Sequence, residues 1–188
     1  MKYPILLGLI ILTAEVKGQG EQSSFWLESF QDRFQEFFNA VDEPLQIQCD
    51  TSEFWNGMYR FTWLPSFDNP IIITIKRENR EVIAIGKFIV LERPEDYINI
   101  VDIRTDTVRL EWRHWLDFTT SKLDAALFWF LPENSINPRT DGSSWLIEAS
   151  TPPGNKGRNK VYLDSPPKNS SIYNVGLYLT RLFGFEDL

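Results

Sequence analysis

Sulfur and imidazole are almost missing from this 188-residue chain, which has one cysteine, Cys49, and one histidine, His114. No intramolecular disulfide can form, and the His/Cys sets that hold zinc cannot be assembled. Hydrolysis through a Ser-His or Cys-His pair would have to use His114, which sits between Arg113 and Trp115 in a helical pattern; no Gly-x-Ser-x-Gly elbow exists. Glycine-rich phosphate loops and dinucleotide fingerprints are absent, as are internal repeats and low-complexity runs. Positive charge is in deficit, with 19 Lys and Arg against 26 Asp and Glu and a formal charge of -7. That balance argues against nucleic acid and anionic lipid, which both recruit cations. The sequence therefore predicts no cofactor, no metal and no nucleic-acid partner. An oxygen-only calcium site around Asp141, Glu148 and Asp164 lacks EF-hand spacing.

Long apolar runs are also missing. Ile5 to Ala14 is too short for the roughly 20 residues that cross a bilayer as a helix. With Met1-Lys2 before it and small residues at Gly18 and Gly20 after it, it reads as a secretory signal peptide cleaved after Gly18 or Gly20. The alternative is an uncleaved anchor. The expected organisation is a signal peptide at 1–20 and one α+β domain at 21–188, with no integral membrane domain after cleavage. Cys49 lies too far downstream to be a lipidated cysteine, and it is expected to be buried as a small apolar residue. A domain of this size can stand on its core without disulfides, which suits a bacterial periplasm or secretion.

What the chain has in excess is aromatic side chains, 14% of the total, including 7 Trp and 14 Phe. Most are expected in the core. Leu27, Phe30, Phe34, Phe37, Phe38 and Val41 recur at helical spacing, and Asp42-Glu43-Pro44 ends that helix. Leu45 to Cys49 alternates and predicts a short edge strand. Met58–Leu64, Ile71–Lys76 and Val82–Val90 read as a three-stranded antiparallel meander, with a further short strand within Tyr97–Ile103. A second helix is expected from Leu110 to about Leu127, a hairpin from the strand ending at Glu148 through Thr151–Arg158 to the strand Asn159–Asp164, and a last helix from Ile172 to Phe183 stopped by Gly184. The fold class predicted is α+β, an antiparallel sheet packed by about three helices.

The stretch Asp141-Gly142-Ser143-Ser144-Trp145-Leu146-Ile147-Glu148 stands out. An Asp-Gly turn runs into an alternating strand, with Gly142 expected to take a positive φ. Trp145 and Ile147 share one face, and Leu146 and Glu148 the other. Asp141 or Glu148 opposite Asp164, with Trp145 and Tyr162 nearby for stacking, forms the candidate binding set. The loop Lys156-Gly157-Arg158-Asn159-Lys160 is a solvated turn or an anion clamp.

Leu110 through Trp115 to Leu131-Pro132, then Asp141-Gly142 with Trp145 and Glu148, then Ser165-Pro166 and Leu179 to Gly184, resemble successive blocks of a bacterial family with an Asp-Gly-x-x-Trp-x-x-Glu pattern. The resemblance spans about Met58 to Gly184. It implies a secreted or lipid-anchored protein with no assigned activity. Where that family carries a His and an Arg-Trp before the Ser-Pro, this chain has Lys160, Leu163 and Asp164, so roles tied to those residues are lost.

Two functions follow from the residues. The first is a non-catalytic extracytoplasmic domain that binds a protein or cell-envelope component through the Asp141–Glu148 strand and its hairpin. The second is a carbohydrate-active or carbohydrate-binding domain that uses paired carboxylates with Trp145 and Tyr162. N-terminal sequencing of protein exported from a bacterial host should begin at Gln19 or Glu21; material beginning at Met1 would show an uncleaved anchor.

Overall fold

The computed structural model describes residues 31–66, 68–92, 99–135 and 142–186. The expected signal peptide, the start of the first helix, the Arg93–Asp96 loop and Asp141 lie outside them. Seven strands form one sheet: β1 (Gly57–Pro65), β2 (Ile71–Glu78), β3 (Glu81–Glu92), β4 (Asn99–Leu110), β5 (Asn134–Ser135), β6 (Ser143–Ser150) and β7 (Arg158–Asp164). Their order is β4-β3-β2-β1-β6-β7-β5. Six are antiparallel, and the two-residue β5 runs parallel to the outer edge of β7. The predicted meander and hairpin are both present, and β6 beside β1 merges them into one sheet. The sheet stays open.

Each strand turns alternate residues to opposite faces, and both faces are covered at the centre. One face carries Tyr59, Phe61, Ile73, Trp145, Ile147 and Val161, beneath α2 (Trp112–Leu116), the π-helical segment Asp117–Asp124 and α3 (Ser171–Arg181). The other carries Leu64, Ile72, Ile89, Leu146 and Tyr162 beneath Phe34, Phe38 and Val41 from α1 (31–40) and its end. The Phe stripe of α1 is thus core. The first half of β2, covered on both sides, is almost wholly apolar (Ile71, Ile72, Ile73 and Ile75), while its end carries Lys76, Arg77 and Glu78. Asn79 and Arg80 adopt φ 50° and 65°, the two-residue turn whose twist suits a β2–β3 hairpin. Ser170 caps α3 by accepting from the Tyr173 amide, and Gly184 (φ 85°) follows its end. No helix among the described residues is long and apolar enough to cross a membrane.

Three expectations need correction. Residues 45–49 are not a strand: the Pro44 and Leu45 carbonyls accept from Arg60, and the Cys49 amide donates to Ser150 Oγ at 3.1 Å, so side chains take the groups a ladder would use. Cys49 itself is half-buried. The strand within Tyr97–Ile103 is much longer, reaching Leu110 as β4; its Asp102, Arg104, Asp106 and Arg109 mask it as loop because neither face is fully covered. The helix expected over Leu110–Leu127 is only five residues of α-helix before the chain widens into a π-helix. The two residues that the π-helix buries, Phe118 and Leu123, are five apart, which suits i→i+5 hydrogen bonding better than a period of 3.6.

The tightest packing is between α3 and the sheet. A Cβ on Gly176 would lie 2.5 Å from Trp145 Cζ3 and 2.9 Å from Phe61 Cζ, both on buried rings. Alanine gains up to about 1 kcal/mol of helix propensity, but overpacking a full core costs about 1–3 kcal/mol. Gly176→Ala should therefore lower the urea midpoint; an unchanged or higher midpoint would show that α3 can lift off the sheet at little cost.

Candidate functional site

The four described residues of the sequence-selected set, Trp145, Glu148, Tyr162 and Asp164, do not converge on one site. Asp141 lies outside the described residues. Gly142 begins the approach to β6 without a positive φ; a Cβ there would collide with Ser165 Oγ, so close approach is what requires glycine. Trp145 is 1% exposed, edge-on to Phe61 at 5.0 Å and stacked on Tyr173 at 5.3 Å, with Nε1 donating to Ser143 Oγ at 2.7 Å. No ring face remains for a ligand. Tyr162 is buried on the opposite face against Phe34, and that burial pushes its hydroxyl pKa up.

Glu148 and Asp164 share the face beneath α1 but not a site. Glu148 stands opposite Lys160, whereas Asp164 stands opposite Ser144, four register positions away. That offset is about 13 Å along the strands, beyond the ~5–9.5 Å that separates glycosidase carboxylates. Glu148 and Asp164 therefore do not form the paired-carboxylate geometry, and Trp145 and Tyr162, on opposite faces of the sheet, do not form a stacking surface.

Glu148 instead faces Arg60 on the neighbouring strand β1. Arg60 is fully buried, an uncommon position for a charge. Its Nε donates to Glu148 Oε2 at 2.6 Å and Nη2 lies 2.6 Å from the same oxygen. Nη1 donates to the Pro44 carbonyl at 2.6 Å and to Glu43 Oε2 at 3.3 Å, and the guanidinium stands 4.1 Å from the centre of the Phe38 ring. Lys87 on β3 closes the series with Nζ 2.5 Å from Glu43 Oε1. Two acids and two bases thus tie the chain after α1 to strands β6, β1 and β3. Sequence reasoning missed Arg60 because it sits among β-formers; the one signal was a charge at a position whose neighbours alternate into the core.

Beside this network opens a cleft of about 330 Å³, lined by Gln46, Ile47, Glu133, Glu148, Arg158 and Lys160. Burial pushes the Glu148 carboxyl above its ordinary value; Arg60 pulls it down without overcoming that burial. The cleft holds hydrogen-bonding groups of both signs but no nucleophile with a base. His114 is on α2, where Nδ1 accepts from the Glu111 amide at 3.3 Å. Among the described residues no three His, Cys, Asp or Glu side chains are grouped to hold a metal.

A second region carries no residue of the original set. Phe130 is 84% exposed, Trp55 58%, Phe54 51% and Trp112 44%. All four lie at the end of the sheet where β1 begins and the β6–β7 hairpin turns. Contacts link them. Trp112 lies over Arg77, whose Nη1 donates to Asn56 Oδ1 at 3.3 Å; Asn155 of the hairpin loop donates to the Phe54 carbonyl; and Lys156 of the same loop pairs with Asp124 and covers Trp129, next to Phe130. Leu127, 62% exposed, holds a left-handed backbone at φ 52°, a rare state for a bulky residue. The loop Lys156–Lys160 is thus divided: Lys156 joins the rim, while Arg158 and Lys160 line the cleft.

No family model matches the chain, and neither a curated protein nor a solved structure matches it.

Glu148 should set part of the pH dependence of stability. Its raised pKa means the folded chain holds that proton more tightly than the unfolded chain. The corresponding stability is complete below about 4.5 and is lost as pH rises through the folded value. In Glu148→Gln this component is absent, so urea denaturation should show the wild type losing ground to the variant as pH climbs above about 4.5. A gap that stays constant would mean the carboxyl titrates alike in both states.

Proposed function

We propose that this chain is a non-catalytic, extracytoplasmic binding domain that meets a protein or cell-envelope partner through the aromatic rim at the hairpin end of its sheet. The observation that carries the reading is the clustering of Phe54, Trp55, Trp112 and Phe130, each at least 44% exposed, on turns and short helical segments at one end of the sheet. Aromatic side chains left in water at one place are the usual core of an interaction surface. Loops on a fixed scaffold are where such surfaces are built. The exposed Leu127, with its left-handed backbone, lies beside Phe130. This replaces the Asp141–Glu148 strand as the contact surface, because Trp145, Leu146, Ile147 and Glu148 are all buried. The extracytoplasmic setting rests on the signal-like Met1–Gly20 segment and the acidic composition.

The test compares wild type with Trp55→Ser/Phe130→Ser as immobilised bait against fractionated envelope protein and glycan. Both side chains are exposed, so folding stability should move by no more than about 0.5 kcal/mol each. Retention of the partner should fall at least tenfold, as expected when interface rings worth about 2 kcal/mol each are removed. Equal retention by bait and variant would sink the assignment.

A further inference from the structure

The outer edge of β4 is unusual for a sheet of this size. β4 is twelve residues long and pairs with β3 on one side; on its other side no strand lies among the described residues. The average strand has roughly 5–6 residues, and proteins shorten, cover or bulge their edges to stop sheets joining. Here a bulge disturbs the ladder where Leu91 meets Ile100 and Val90 meets Asp102. Beyond it, Asp102 to Leu110 runs in regular register with β3. Asp102, Ile103, Arg104 and Thr105 are exposed.

We propose that β4 pairs antiparallel with β4 of a second copy of this chain, Thr105 opposite Thr105 across a two-fold axis, so that two sheets join into one. The charge pattern selects both the partner and the register. With Thr105 at the axis, Arg104 meets Asp106 of the second copy, and the pair occurs twice. Within each chain Arg104 already lies 3.1 Å from Asp106, and the two side chains are 64% and 47% exposed. Dimerisation therefore completes a square of four alternating charges on one sheet face. On the other face Ile103 meets Thr107. Directly opposed side chains must come from the same face, so the register can change only in steps that move the axis by one residue. An axis at Arg104 opposes Arg104 to itself and Asp102 to Asp106. An axis at Asp106 opposes Asp106 to itself. An axis at Ile103 pairs Asp102 with Arg104 but runs Thr105 onto the bulged end. The interface lies along the sheet's edge and does not depend on the rim reading.

Sedimentation of the wild type over a concentration series should reach twice the monomer mass. Arg104→Asp and Asp106→Arg, each placing two like-charge pairs in register, should each weaken self-association by about tenfold. Mixing these two variants should restore a dimer, because each then offers the charges the other lacks; repair of the pair inside one chain cannot produce that result. Independently, Thr105→Cys in a Cys49→Ser background should oxidise to a covalent dimer, since residues opposed at the axis lie about 4.5–5.5 Å apart, within disulfide reach. A wild type that stays monomeric overturns the proposal. So does dimerisation indifferent to both charge reversals, a mixture that does not associate, or a Thr105→Cys chain that does not cross-link.

Discussion

A guanidinium with no exposure to water sits in the middle of one sheet face, and the chain around it is arranged to satisfy it. Removing one partner from such a buried ion pair costs about 3–5 kcal/mol, so Arg60 constrains every element that touches it. Glu148 must lie opposite on β6, Glu43 must follow α1, and the Pro44 and Leu45 carbonyls must turn inward. The Phe38 ring completes the enclosure. These demands give the segment after α1 its irregular path and position α1 over the sheet. The polar cleft next to Glu148 is the open margin of the same arrangement.

The aromatic excess divides into two populations with different roles. Phe61, Trp145, Phe118 and Phe128 are at most 1% exposed and fill the layer between sheet and helices. Phe54, Trp55, Trp112 and Phe130 stand on turns and short helical segments at one end, held by the Asn155, Lys156 and Arg77 contacts. Close packing rigidifies the first group and so provides a fixed frame for the second. The buried rings belong to the packed layer, while the rim rings and Asp102 to Thr105 at the β4 edge stay exposed.

Much of the architecture was legible from the chain. Alternation in Met58–Leu64, Ile71–Lys76 and Val82–Val90 marks strands β1 to β3, and the same pattern splits Trp145 and Ile147 from Leu146 and Glu148. β4 was hidden because an edge strand need not bury a face, so its apolar alternation is broken by charges. The π-helix is hidden because its two buried residues, Phe118 and Leu123, are five apart and do not repeat with a period of 3.6. The candidate site was the least legible part. Trp145 and Glu148 were prominent for reasons of packing and charge burial, and the exposed rings of 54, 55 and 130 lie in segments with no periodic signal at all.

The sequence by itself determined the element types at the centre of the sheet, the core role of the Phe stripe and the exclusion of disulfide and His/Cys zinc chemistry, because local periodicity and residue inventory are properties of the chain alone. Only the tertiary structure decided that β6 lies beside β1, that Arg60 and Glu148 therefore bury each other, and that Asp164 is four register positions from Glu148. It also decided which rings are core and which are surface. Those outcomes depend on pairings between residues far apart in the chain, such as Arg60 and Glu148, 88 positions apart, where register and layer order, rather than local preference, set which side chains meet.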